Sequence, residues 1–455
     1  MMRTLFLLSA SILAACSAQA HTTDTNPPSE VQDIYNIAIE ASPERIRDDI
    51  QTLVDFGTRH TLSETKSDTR GIGAARRWIF AEFEKISKEC GGCLEVIYVS
   101  DTISGERRIP DPTDVVSVLA IQKGTTDPNR YVMMSGDIDS RVTDPLDGTS
   151  DSPGANDNAS GMAGTIEAAR ILSKRKYAGS IIYAGLSGEE QGLFGGEIVA
   201  AHALKQGWEI KGVLNNDMIS NISGIDGVID NSSVRVFSEG TRANETEAEA
   251  RTRRFTGGEV DSPSRNLARY IKAQADQYMT NLNVMLIYRL DRFGRGGHHR
   301  PFNQVGIPGI RIMETHEHYD RQHQDLRVED GIEYGDTMDG VDSHYAAKLT
   351  ALNMVTMAGM AGAPPFPANV EATGAVQPSA KLTWETPDSA DNLAGYRVHW
   401  RLTTTPEWTH SRFIGKVNEW EFKNLVIDNY FFGVSAVAKD GSETPVVFPG
   451  AAGRF

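Results

Sequence analysis

Apolar and polar positions fall into two rhythms along most of this chain. Between residues 31 and 56 apolar residues recur at helical spacing, as Ile34, Ile37 and Ile39 and then Ile46, Ile50, Leu53 and Val54. Ser42-Pro43-Glu44-Arg45 inside that stretch reads as a helix start, with proline in the first turn. Residues 74–86 repeat the amphipathic pattern. Short continuous apolar runs follow at 93–99, 115–121, 131–135, 180–186, 210–215, 283–288 and 309–313, and they predict buried strands. Helical patterns at 157–172, 190–204, 264–277 and 341–361 are interleaved with them. Strand and helix in alternation predict an α/β fold, with a mixed, largely parallel sheet flanked by helices. Residues 219–259 are rich in Ser, Gly, Asn and acids and show little period, which predicts loops over a site.

The rhythm changes at Gly362-Ala363-Pro364-Pro365-Phe366-Pro367. Beyond it lie short alternating runs around Leu382, Tyr396–Trp400 and Phe432–Val437, separated by turn residues. They predict a small all-β sandwich over 367–455. This stretch looks like a fibronectin type III domain, in which Trp384 and Tyr396 would fill the core and Tyr430 would begin a late strand. A Pro-rich hinge and a core of its own lead to the expectation that it folds separately.

Length sets room for two or three domains in 455 residues. With 40% hydrophobic and 23% charged residues the composition is that of a soluble globular chain. A net charge of −16 argues against nucleic acid as a partner, since phosphate would be repelled. The first twenty residues stand apart. Arg3 precedes an apolar core from Leu5 to Ala15, and Leu13-Ala14-Ala15-Cys16 looks like a bacterial lipobox in which Cys16 is lipidated. Cleavage after Ala18-Gln19-Ala20 is the competing reading. Either way residues 1–20 are expected to be a signal peptide and 21–32 a tether. The protein is expected to be exported, as a bacterial lipoprotein facing the periplasm or cell surface, with the lipid its only membrane contact. In an oxidising compartment Cys90 and Cys93, in Cys90-Gly91-Gly92-Cys93, are expected to form a local disulfide.

The candidate chemistry lies where the strands end. The run at 131–135 leads into Gly136-Asp137-Ile138-Asp139, the run at 180–186 into Glu189-Glu190, and the run at 210–215 into Asp217. Between them lies Gly154-Ala155-Asn156-Asp157-Asn158-Ala159-Ser160-Gly161. In open α/β sheets the ligand crevice lies beyond the carboxyl ends of the strands. Carboxylates gathered there repel one another unless a cation neutralises them, so a divalent metal is the economical explanation. Histidines at 316, 318 and 323, just after the last strand, are candidate partners.

These motifs, over roughly residues 33–362, resemble the M28 family of zinc aminopeptidases. The family pattern is His-x-Asp, Gly-x-x-Asp-[Asp/Asn]-x-Ser-Gly, Glu-Glu-x-Gly, Asn-x-Asp and a late His. The resemblance implies two Zn²⁺ ions bridged by Asp157. Glu190 and His323 would complete one, with His318 and then His316 as alternatives to His323. Asp217 and Asp137, which replaces the usual His, would complete the other. Glu189 would be the general base, and Asp139 would stand behind the ligands and orient them. His299 matches an Asp-His-x-Pro-Phe turn, with His298 where Asp is usual, and would line the substrate pocket. A cis peptide is implied at Asp157-Asn158.

The implied activity is hydrolysis of N-terminal residues from peptide substrates. A related carboxypeptidase or glutaminyl cyclase is the alternative within the same site. A non-catalytic surface binding protein with a decayed metal site is the alternative from another class.

Overall fold

The computed structural model describes residues 26–388 and 390–455. Eight strands form one sheet: β1 (Leu94–Ile103), β2 (Thr113–Gln122), β3 (Asp127–Asp137), β4 (Gly179–Leu186), β5 (Glu209–Asn216), β6 (Ser233–Ser238), β7 (Asn283–Ile287) and β8 (Gly309–Met313). Their order is β1-β2-β4-β3-β5-β8-β6-β7. The central strands β4, β3, β5 and β8 run parallel to one another, while β1 and β2 join antiparallel. Every residue of β4 is buried, which is why it reads as a continuous apolar run rather than an alternation. Helices Gly161–Leu172 and Ser343–Gly362 cover one face of the sheet. Helix Phe194–Gln206 covers the other through Val199, Ala200 and Ala203.

Parallel pairing brings three strand ends side by side. Asp137 of β3 lies opposite Leu186 of β4, and Ser135 of β3 opposite Asn215 of β5. The acids that follow these strands therefore open into one crevice. Glycine lets the first turn of helix Gly161–Leu172 lie directly on β3. A Cβ at Gly136 would sit 2.3 Å from the carbonyl carbon of Gly161, and one at Gly161 would sit 2.1 Å from Asn216 O.

The stretch 31–56 holds two helices, Gln32–Ala38 and Pro43–Asp55, and the second starts at the expected point, capped by Ser42 Oγ accepting from Arg45 N. Several elements differ from the sequence expectation. The helix expected from Asp157 begins at Gly161, after an irregular turn at Ala155–Ser160. Residues 219–259 are not only loops. They contain β6 and the helix Glu247–Thr256, which buries no residue and is held at its start by a Thr246/Glu249 capping box. A short hairpin, β9 (Arg327–Glu329) and β10 (Ile332–Tyr334), follows β8. Cys90 and Cys93 are disulfide-bonded.

The C-terminal strands are β11 (Ala368–Thr373), β12 (Ala380–Glu385), β13 (Leu393–Leu402), β14 (His410–Gly415), β15 (Glu419–Phe422) and β16 (Tyr430–Ala438). They form two antiparallel sheets, β11-β12-β15 and β14-β13-β16. Trp384 and Tyr396 meet edge to face between them at 5.2 Å, both buried.

The junction with the α/β part lacks the character of a free hinge. Residues 363–367 are buried, and Arg130 donates to Met360 O and Ala363 O at 2.7 Å each. Arg401 Nη2 and Arg269 Nη1 both reach Asp261 Oδ1, at 2.6 and 2.8 Å, with all of these side chains buried. Arg269 Nε also donates to Pro406 O, and Trp408 Nε1 to Asn266 Oδ1. The apolar core runs continuously from one part into the other. Among the described residues no helix is long and apolar enough to cross a membrane.

Candidate metal centre

Three side chains from separate elements converge at the crevice. His323 Nε2 lies 3.0 Å from Asp157 Oδ2 and 3.0 Å from Glu190 Oε1. Ligand atoms of Asp157, Glu190 and His323 all fall within 4.8 Å of one another, the only such group of His, Cys, Asp and Glu among the described residues. Two carboxylates and an imidazole are donors that zinc takes, and three protein ligands leave room for a water or substrate. Of the other candidate histidines, His316 pairs with Asp226 at 2.9 Å, and His318 lies outside the group.

Electrostatics set this group against its surroundings. Burial alone would raise the Asp157 and Glu190 carboxyls, but the His323 imidazole beside them outweighs it and holds both below their usual range. Burial disfavours the His323 cation, yet the two carboxylates lift it to about 9. Glu189, partly exposed at the crevice, is pushed well above the usual carboxylate range. Burial is the main cause, followed by repulsion from Glu190 and Asp217.

The turn that carries Asp157 is fixed from outside. Asp336 accepts from the main-chain N–H groups of Asn156 and Asp157, at 3.0 and 2.6 Å. Gln322 Nε2 donates to Asp157 Oδ2 at 3.1 Å. The guanidinium of Arg59, fully buried, donates only to main-chain oxygens: Ile138 at 2.9 Å, Leu53 at 3.0 Å, Pro153 at 2.5 Å and Gly154 at 2.8 Å. The Asp157–Asn158 peptide is cis, and so is Asp217–Met218. Asp139 accepts from the N–H groups of Glu189 and Glu190, at 3.2 and 3.1 Å, and from Thr61 Oγ1 at 3.1 Å. It thus orients both glutamates from behind.

Asp137 and Asp217 stand at the strand ends where the sequence places them, but they are engaged by protein groups. Asp137 Oδ1 is 2.6 Å from His298 Nδ1, and Oδ2 accepts from Asn158 Nδ2 at 2.6 Å. Burial pushes the Asp137 carboxyl up to about 8. Asp217 Oδ2 is 2.8 Å from Arg311 Nη2. Positions 137 and 298 thus carry Asp and His where the family pattern has His and Asp, and the exchanged pair is in contact. His299 departs from the expectation that it lines the pocket. Its ring is fully buried, with Nε2 2.8 Å from Leu290 O and 3.6 Å from Asp291, because the short helix His299–Gln304 turns it inward beneath the 290s loop.

Arginines were missed by the sequence reading. Arg141 places Nε 2.7 Å from Glu190 Oε2 and Nη2 2.7 Å from His323 Nδ1. Arg108 Nη1 donates to Glu190 O. Arg311 carried a signal that could have found it: a lone charge inside the apolar run Gly309-Ile310-Arg311-Ile312-Met313 must have buried partners.

Residues 117–338 match the model of Peptidase family M28. A probable zinc metalloprotease of Leptosphaeria maculans is 41% identical over 423 residues, covering 93% of this chain and 98% of that protein. Another, from Pyricularia oryzae, is 39% identical and covers 96% of this chain and 90% of that protein. Among solved structures, the Legionella pneumophila LapA aminopeptidase is similar in fold, with a TM-score of 0.53 at 18% identity over 79% of this chain and 77% of that one. These curated relatives are fungal and lend no support to a bacterial lipid anchor, and Cys16 itself lies outside the described residues. Metal-type ligands at the ends of parallel strands, a paired glutamate beside them and identity sustained along nearly the whole chain agree, and the chain belongs to peptidase family M28, the zinc metallopeptidases.

Proposed function

We propose that this protein is an exported zinc aminopeptidase that removes N-terminal residues from peptides. The observation that carries the chemistry is the Asp157–Glu190–His323 group with Glu189 beside it in sequence and in the crevice. Zinc held by those three residues would supply Lewis-acid polarisation of the scissile carbonyl and a water acidified toward neutral pH. Glu189 stands where its carboxylate would accept the proton of such a water and return it to the leaving amine. Asp139 keeps Glu189 and Glu190 in register through their main-chain N–H groups. Arg141 braces the ligands Glu190 and His323. The Cys90–Cys93 disulfide suits an oxidising compartment and supports export.

The test is a panel of peptides with free or blocked ends, assayed with and without a chelator. Chelator-sensitive release of the N-terminal residue, abolished by N-terminal blocking, is the expected result. Cleavage confined to peptides with a free C-terminus would move the assignment to a carboxypeptidase. Cyclisation of an N-terminal glutamine would move it to a glutaminyl cyclase. No turnover of any member, with zinc bound, would leave a binding protein.

A further inference from the structure

We infer that the centre takes one zinc ion per chain, and that Arg311 is the built-in cation beside Asp217 where a second ion would otherwise sit. The inference rests on the zinc-peptidase reading and concerns what that reading leaves open, the number of ions. Arg311 is fully buried on β8. Its Nη2 lies 2.8 Å from Asp217 Oδ2, and its Nε donates to Asp217 O at 2.5 Å. Its Nη1 is held on the far side by Asp291 Oδ1 at 3.0 Å and Gly296 O at 2.6 Å. A guanidinium gripped along both edges has no solvent to swing into.

The other acid of the would-be second position is equally committed. Both oxygens of Asp137 are taken, by His298 Nδ1 and by Asn158 Nδ2. A second divalent ion would have to share Asp137 with these partners and approach Asp217 from beside a fixed positive charge. It would leave the buried Arg311 with Asp291 as its one remaining carboxylate partner and set a divalent cation against its guanidinium, which buried surroundings screen poorly. Asp157, Glu190 and His323 also have protein partners, Gln322 and Arg141, but their ligand atoms already converge on one point, which those of Asp137 and Asp217 do not. The crevice therefore balances its acids with one exchangeable cation and one that the chain supplies.

The test is a metal count on the full chain. Wild type, Arg311→Gln and Arg311→Lys are dialysed against buffered excess zinc, and zinc per chain is measured by plasma mass spectrometry. One zinc is expected in wild type and in Arg311→Lys, and two in Arg311→Gln, where Asp217 is released. Two in wild type overturns the inference. A folded Arg311→Gln that still holds one overturns the role given to Arg311. If Arg311→Gln does not fold, wild type and Arg311→Lys decide: one in both sustains the inference, and two in either overturns it. Two ions together with chelator-sensitive peptide cleavage removes only this inference. No zinc and no such cleavage removes the zinc-peptidase reading as well.

Discussion

Arg401 of the C-terminal sandwich reaches Asp261 of the α/β part at 2.6 Å, with both side chains buried. The contact ties two parts that the sequence suggests are separate. Removing Arg401 leaves Asp261 paired with Arg269, so the cost should fall below the about 3–5 kcal/mol of a fully orphaned buried charge. Arg401→Leu is therefore expected to lower the denaturation midpoint of the whole chain in a single transition, measured by urea unfolding. A chain ending near Ala361 is expected to be insoluble or to lose activity. If it stays folded and active, the sandwich is an accessory rather than part of the core.

Glu189→Gln removes a proton acceptor and leaves the Asp157–Glu190–His323 ligands in place. Turnover is expected to fall by about 10²–10⁴-fold, with zinc content unchanged. Stopped assays on a small peptide, paired with metal analysis, check it. A rate near wild type would reassign the base.

Asp139→Ala withdraws the acceptor from the N–H groups of Glu189 and Glu190. Groups that orient ligands in this way typically contribute about 10–100-fold in metal affinity. Competition against a chromogenic chelator should show a loss of that size, with the circular dichroism spectrum unchanged.

Metal-free protein should be less stable in alkali. The His323 value in the fold, about 9, lies above its ordinary 6.5. Its cation therefore stabilises the metal-free fold: the contribution is complete below pH 6.5 and is lost as pH rises through about 9. Chelated wild type should lose stability between these values, read as a falling melting temperature. His323→Gln should lack that part of the dependence. A flat wild-type profile would show that His323 is neutral in the metal-free fold, with Nδ1 accepting from Arg141 Nη2.

Much of the architecture was legible because the central strands are buried on both faces and so read as unbroken apolar runs. The strand-end acids were legible for the same reason, since each follows such a run. The helix Glu247–Thr256 was not, because it buries nothing and so has no apolar stripe to betray it. The inward turn of His299 was not legible either. Its neighbour His298 faces the crevice, and one residue's rotation along a short helix decides which imidazole does so. The partners of Arg311 and Arg401 lie far away in sequence, at Asp217 and Asp261, and only the folded chain brings them together.

Arg59 holds the Asp157 turn entirely through main-chain oxygens. Such a clamp recognises the path of a loop and is indifferent to the side chains the loop displays. Positions 142–151 could therefore be diversified, in nature or in a library, while the ligand turn keeps its course and Arg141 keeps its hold on Glu190 and His323. Loop sequence and metal geometry would then be free to vary as separate traits, provided residue 59 remains arginine.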